Sequence, residues 1–285
     1  MARILSGKEV AAALGARLGE EVAELERAGT FPALAILRVG ARDDACAYER
    51  GARKRCESVG ISVVSRVLPE TCSQGDLMAA IDELNVDRGV HGILMLSPLP
   101  DHLDQQAATA ALSPAKDVDA VTVSSLAHVF AGAGIGFYPC TAQSCMEILR
   151  HYGIDPAGKR VAVLGRSLVV GRPVAMMLLH ANATPSICHS RTADVPRITR
   201  EADIVIAAIG HAESVGPEYF REGQTVIDVG TNWDDARGRL TGDVRFDEVE
   251  PLVEAITPVP GGVGSVTTTV LAGNVVRAAC AKAGL

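Results

Sequence analysis

The chain has no CxxC pair and no ladder of short cysteine spacings; its seven cysteines stand at positions 46, 56, 72, 140, 145, 188 and 280. Neither a zinc site nor a disulfide framework is indicated, no metal is expected, and a reducing cytoplasm fits best. No apolar run is long enough to cross a bilayer, and the start, "MARILSGKEV", has no apolar segment of signal-peptide length, so a membrane partner is not expected. A basic excess is missing as well. Lys and Arg number 27 against 34 Asp and Glu, a formal charge of -7, which argues against nucleic-acid affinity because a phosphate-binding face needs a basic block. Sequence repeats and low-complexity tracts are absent too. What is present is 285 residues, 48% of them hydrophobic, enough for two domains that each have a core.

The first half alternates helical and extended patterns. A capping box at Ser6 and Glu9 opens a helix that runs to about Arg27. The strand "ALAILRV", a charged helix, the strand "ISVVSRVL", a helix opened by Ser73 and Asp76, and the strand "HGILML" follow. This βαβαβ order predicts a mostly parallel sheet. After a less regular stretch from Asp101 to Tyr138, "PCT" starts a new unit, with Thr141 placed to cap a helix that Gly153 ends. Strands "KRVAVLG", "TPSIC", "DIVIAAIG", "QTVIDVG" and "EAIT" come next, and a final segment apolar at Val266, Val270, Leu271, Val275 and Ala278 reads as a helix.

The second unit has the order that suits a dinucleotide. In "VAVLGRSLVVGRPV" a strand meets a glycine turn and a helix, which offers backbone N–H groups and a positive helix end to phosphate. Gly165 and Gly171 are separated by five residues, so GxGxxG is not matched and an ordinary βα turn remains the plain alternative. The strand "TPSIC" ends in "HSRT", where Ser190 and Arg191 stand in the ribose-recognising place instead of an acid. With Arg166 they supply two cations and a hydroxyl for a 2'-phosphate, which guanidinium groups bind in bidentate fashion. The stretches "DVGTN" and "TPVPGGVGS" follow strands of the same sheet; their glycines and prolines let stiff backbone approach a flat ring such as nicotinamide.

In the first unit, "AYERGARKRCESVG" raises the question of whether its positive charge does chemistry. On a helix, Gly51, Ala52 and Arg55 share the Tyr48 face, Arg50 and Arg53 point away, and Lys54 lies about 120 degrees off. Most of that charge reads as a solvated face. Cys140, Cys188 and His189 sit beside motifs but read as packing or structural residues.

The segments "KDVD" (116–119), "PCT" (139–141), "GRSLVVGRP" (165–173), "ATPSICHSRT" (183–192), "VIDVG" (226–230), "GDV" (242–244) and "TPVPGGVGSVT" (257–267) resemble, in family order, those of the bifunctional methylenetetrahydrofolate dehydrogenase/cyclohydrolases. The resemblance implies an α/β protein of two domains. Residues 1–138, completed by a C-terminal helix at 265–285, would form a three-layer parallel-sheet catalytic domain, and residues 139–264 a Rossmann-like NAD(P)-binding domain. The implied activity is oxidation of methylenetetrahydrofolate to methenyltetrahydrofolate with NADP (or NAD), then hydrolysis to formyltetrahydrofolate, in a cleft between the domains of a cytoplasmic homodimer serving one-carbon metabolism and purine biosynthesis.

By the same resemblance, Tyr48, Lys54 and Asp119 are the catalytic candidates. Tyr48, Leu96, Pro98, Asp119, Gly261 and Gly262 would contact the tetrahydrofolate substrate, Asp119 through the amino and ring N–H edge of the pterin. Gly165, Arg166, Ser167, Val170, Gly171, Pro173, Ser190, Arg191, Gly230, Thr231 and Thr267 would contact the cofactor. Two positions depart from the family: Ala52 stands where it has a lysine four residues after the tyrosine, and Leu96 where it has a glutamine. Hydride transfer needs no side chain to take a proton from carbon, whereas hydrolysis needs one that a lysine can move. Dehydrogenase activity is expected, and the cyclohydrolase step is the one these two changes threaten. The other readings are a non-catalytic folate- and nucleotide-binding relative, or a different two-domain dehydrogenase of the shikimate type.

Overall fold

The computed structural model describes residues 1–235 and 237–285. They fall into two compact units, Ala13–Tyr138 with Thr268–Leu285, and Met1–Ala12 with Pro139–Thr267.

In the first of these, three parallel strands lie in the order Ser62–Leu68, Ala33–Val39, Gly92–Met95. The central strand is buried almost end to end, as a strand covered on both faces must be, and hence it reads as a continuous apolar run. The helices Asp43–Ser58 and Gln74–Val86 connect the strands. The second starts on the expected capping box: Ser73 Oγ accepts from Asp76 N at 3.1 Å and Asp76 Oδ2 accepts from Ser73 N at 2.8 Å. The stretch that looked irregular holds two short helices, Gln105–Ala111 and Val123–Ala131, capped by Asp104 and Thr122. Two turns are too few to show a helical period in the sequence.

The helix Thr267–Ala283 carries a fully buried Asn274 whose Nδ2 donates to Val118 O at 2.7 Å. Its Val275 methyl and Val118 close on Gly92, where a Cβ would stand 2.7 Å from Val118. Residues 116–118 therefore lie flat beside the strand Gly92–Met95, and Ile93 N donates to Lys116 O at 2.7 Å.

The other unit has six parallel strands in the order Arg3–Ile4, Ala255–Ile256, Thr225–Asp228, Ile204–Ala207, Arg160–Leu164, Thr184–Cys188. From Arg160–Leu164 the chain first steps to one side and then to the other. The strand order thus reverses there, and ligands of such sheets bind beyond the carboxyl ends at that point. An antiparallel pair, Asn232–Asp234 with Arg239–Thr241, follows Thr225–Asp228 in the chain.

Two local expectations differ from the structure. The helix Cys140–His151 begins with Pro139 as its N-cap and no side-chain cap, so Thr141 lies inside the first turn; with proline's fixed φ at the cap the helix starts two residues sooner. The first twelve residues group with 139–267 and not with the rest of 1–138. Arg3–Ile4 adds an edge strand, and Tyr152 donates its hydroxyl to Ser6 O at 3.1 Å. A two-residue strand has no period to read.

Replacing Asn274 with Ala removes the buried hydrogen bond from its Nδ2 to Val118 O. Urea unfolding is expected to show a loss of ~1–3 kcal/mol; a change within the noise would mean that Asn274 does not tie this helix to the 116–118 segment.

Candidate functional site

The strand Arg160–Leu164 runs directly into Gly165, at φ 114. A Cβ there would stand 2.1 Å from Ala208 O, and one on Gly171 would stand 2.2 Å from Gly165 O. Only glycine fits at either place, since side-chain carbons never approach a carbonyl so closely. The helix Gly171–His180 follows. Its leading donors are already used: Ser167 Oγ accepts from Val170 N at 3.0 Å and Gly171 N at 3.4 Å, Ser167 O accepts from Arg172 N at 3.1 Å, and Pro173 has no N–H. Among the described residues, none accepts from the N–H groups of Arg166, Ser167, Leu168 or Val169. The donors left for an anion are therefore in the turn, one step before the helix end to which the sequence points.

A cavity of about 420 Å³ opens at this turn. Gly165, Arg166 and Ser167 line it from the first strand end, Cys188, His189 and Ser190 from the second, and Ala208, Ile209 and His211 from the third. Four expected residues, Gly165, Arg166, Ser167 and Ser190, thus meet. Arg191 is exposed and outside the lining, and its N–H goes to His189 Nδ1 at 3.2 Å. Val170 is the helix N-cap and Pro173 is buried in the first turn; neither lines the cavity, and both hold the turn in shape. Burial pushes the Cys188 thiol up, which keeps it neutral and suits a packing residue. His189, Ile209, His211 and Tyr219 also line the cavity; the sequence carries no motif that gives the last three a role.

A second cavity of about 250 Å³ is lined by Asp228, Gly230, Thr231, Gly261 and Gly262, among others. Gly261, at φ 107, accepts from Gly7 N at 2.8 Å. The start of the helix Gly7–Arg27 thereby braces the glycine loop. Thr267 is outside the lining and donates its Oγ1 to Gly264 O at 3.2 Å. Asp228 is buried and accepts from Gly230 N at 2.9 Å, Asp243 N at 3.0 Å and Val244 N at 3.0 Å. Burial pushes its carboxyl up to about 7 against the pull of those three donors, and nearby Asp243 adds to the push.

The remaining candidates belong to the other unit. Tyr48 lies on the helix Asp43–Ser58 with its ring 38% exposed, while Ala52, one turn on, is completely buried. Lys54 and Arg50 are exposed. Arg53 is committed to the neighbouring strand, donating to Val63 O at 3.0 Å and Ser65 Oγ at 2.6 Å. The helix charge is therefore partly structural, with Arg50 and Lys54 on the solvated face that the sequence suggests for most of it. Leu96 is buried and its N–H donates to Leu37 O at 2.9 Å, whereas Pro98 is exposed and accepts from Arg42 Nη1 at 3.1 Å. The loops after Ala33–Val39 and Gly92–Met95 thus meet at the carboxyl edge of this sheet.

Within "KDVD", two residues serve the fold. Lys116 Nζ donates to Leu84 O at 2.8 Å and Asp87 O at 2.6 Å, and burial, aided by Lys282, lowers its pKa. The buried Asp117 accepts from Val121 N at 2.9 Å, Thr122 N at 2.8 Å and Ser125 Oγ at 2.7 Å. Asp119 is the half-buried carboxylate of the motif.

The folded pKa of Asp228 is raised from the ordinary 3.8 to about 7, so between those values the fold keeps a proton that the unfolded chain has released. Its contribution to stability is fully present below about pH 4 and is lost as pH rises through about 7. Asp228→Asn is expected to flatten the fall in urea-unfolding free energy over that window; an unchanged slope would assign the titration to another group.

Residues 5–119 match the family model for the tetrahydrofolate dehydrogenase/cyclohydrolase catalytic domain, and residues 139–283 the one for the tetrahydrofolate dehydrogenase/cyclohydrolase NAD(P)-binding domain. The bifunctional protein FolD of Carboxydothermus hydrogenoformans is 50% identical over 279 residues, 98% of this chain and 97% of that protein. The solved structure of the bifunctional FolD methylenetetrahydrofolate dehydrogenase/cyclohydrolase from Campylobacter jejuni is similar at a TM-score of 0.95 and 38% identity, covering 99% of this chain and 100% of that one. That of the Trypanosoma brucei methylenetetrahydrofolate dehydrogenase-cyclohydrolase, complexed with NADP cofactor and inhibitor, gives 0.90 and 37%, covering 99% and 98%. The expected α/β architecture, a catalytic domain followed by an NAD(P)-binding domain, is that of these structures. With both domains matched in order and a relative half-identical along nearly its whole length, the chain belongs to the tetrahydrofolate dehydrogenase/cyclohydrolase family.

Proposed function

We propose that this chain oxidises 5,10-methylenetetrahydrofolate to 5,10-methenyltetrahydrofolate with NADP+ as acceptor, and hydrolyses the product to 10-formyltetrahydrofolate only slowly. The observation that carries this reading is an intact glycine cradle in one unit together with, in the other, a buried Ala52 at the lysine position. The cofactor, when bound, accepts a hydride. The methylene C–H electron pair leaves with that hydride, and the adjacent nitrogen lone pair closes the C=N bond of the methenyl cation.

No side chain has to take a proton in that step, so the residues have only to bind and orient. The unused N–H groups of 166–169 suit a diphosphate, and Arg166 with Ser190 suits a 2'-phosphate. Gly171, Val170 and Pro173 hold the turn, while Gly230, Thr231, Gly261 and Gly262 offer a surface free of bulk to a flat ring. Arg191 and Thr267 stay at the margin of this proposal because neither lines a cavity. In the other unit Tyr48 and Asp119 would contact the folate, Asp119 by accepting from the pterin N–H edge. Leu96 and Pro98 would add apolar contact.

Hydrolysis asks for more. A water oxygen bonds to the methenyl carbon, a water proton leaves to a base, a C–N bond breaks and that nitrogen gains a proton. Ala52 can hold no proton and arginines never release theirs. Lys54, exposed and off the Tyr48 face, is the lysine that remains nearby. A non-catalytic role is not favoured, because a chain freed from hydride transfer has no use for both glycine loops. A shikimate-type enzyme is not favoured either, since both folate-family domains match. Cytoplasmic location, a homodimer and service to purine biosynthesis belong to this proposed reading through family membership.

Following nicotinamide and methenyl absorbance together in one cuvette is expected to show methenyltetrahydrofolate accumulating in step with NADPH. A methenyl signal that never builds up would contradict the reading of Ala52. Ala52→Lys, in a variant that still reduces NADP+, is expected to raise hydrolysis by on the order of 10²-fold; an unchanged rate would mean that Lys54 already serves. In paired titrations, Arg166→Ala is expected to lower the preference for NADP+ over NAD+ by about tenfold, and an unaltered ratio would remove Arg166 from phosphate recognition.

A further inference from the structure

Asp243 is completely buried just after the strand Arg239–Thr241. Its carboxylate gathers four donors: Oδ2 accepts from Ile209 N at 2.6 Å and Gly210 N at 2.9 Å, and Oδ1 accepts from His211 N at 3.0 Å and Asn232 Nδ2 at 3.0 Å. Three consecutive amides of the loop after Ile204–Ala207 thus converge on one carboxylate, which requires Gly210 to turn at φ 75. That loop is not remote. Ile209 and His211 line the larger cavity together with His189 and Ser190, and Ala208 O is the atom against which Gly165 is pressed.

In a sheet of this topology the end of the second strand receives the adenosine ribose. The same cavity that holds this strand end is walled by the 209–211 loop, so the wall belongs to the adenosine half of the cofactor. We propose that Asp243 is a positioning residue for cofactor binding: its carboxylate fixes loop 208–211 as the adenosine wall and, by consuming three N–H groups while Ala208 N donates to Leu164 O, leaves the backbone of that loop no N–H to offer an anion. The wall then suits the amino edge of a purine and disfavours an anion, which is directed instead to the turn at 166–169. This inference rests on the dinucleotide reading above and adds a residue that touches no part of the ligand.

The test is Asp243→Asn. An amide has one acceptor oxygen and turns its own donors toward loop N–H groups, so the loop is released while the cavity chemistry of Arg166 and Ser190 is unchanged. The dissociation constant for adenosine 2',5'-bisphosphate, measured calorimetrically, and KM for NADP+ are expected to rise together by at least about tenfold. The turnover number and KM for the folate should stay within about threefold. Unchanged affinity in a folded variant would overturn the proposal. So would equal losses in every parameter together with a lowered melting temperature, which would assign Asp243 to global stability alone.

Should Asp243→Asn not fold, hydrogen exchange on the unaltered protein decides. The amides of Ile209, Gly210 and His211 are expected to be protected without any ligand, and free exchange at all three would refute their capture by Asp243. Failure of the unaltered protein to bind the bisphosphate would sink the dinucleotide reading, and this inference with it.

Discussion

The carboxyl edge of the six-stranded sheet depends on the absence of two side chains. Gly165 sits against Ala208 O and Gly171 against Gly165 O at distances that no Cβ tolerates. This double contact brings the first turn, the third strand end and the start of a helix into one small volume. Because the helix donors are taken by Ser167, the turn itself becomes the donor-rich element. A strand, a glycine and a helix are common in α/β sheets. What makes this one specific is which N–H groups the hydroxyl of Ser167 leaves over.

Buried carboxylates carry out the complementary task among the loops after the neighbouring strands. Asp228 and Asp243 together collect backbone N–H groups from Gly230, Asp243, Val244, Ile209, Gly210 and His211. A buried charge is tolerated when enough donors face it. Here the donors belong to loops after different strands, so satisfying the charges also sets the loops relative to one another. A similar economy appears in the other unit, where Asp117 and Lys116 spend their charges on backbone groups.

The parallel strands were legible because burial on two faces demands continuous apolar runs, as in "ALAILRV" and "DIVIAAIG". Capping at Ser73 was legible because its chemistry is local. Arg3–Ile4 was not, since two residues carry no period and its partner, Ala255–Ile256, lies some 250 positions away in sequence. Among site residues, Gly165, Arg166, Ser167 and Ser190 could be found because motif and topology place them at strand ends. Asp243 could not be given a role: its meaning comes from three amides contributed by a loop more than thirty residues earlier. The exclusion of Arg191 from the cavity was equally hidden, because it lies in a turn after the strand Thr184–Cys188, where no strand period sets the direction of a side chain.

In the proposed function, the departures at Ala52 and Leu96 separate two successive reactions. Both side chains are buried; in the proposed function they add to packing where proton-handling groups would serve hydrolysis, and hydride transfer, which needs no such group, is retained. That separation assumes a working cofactor site at the glycine turn. The most direct measurement is a crystal structure with NADP+ bound. The account requires the diphosphate on the N–H groups of residues 166–169 and the 2'-phosphate between Arg166 and Ser190. A diphosphate seated away from that turn, or an adenosine outside the cavity walled by Ile209 and His211, would contradict it.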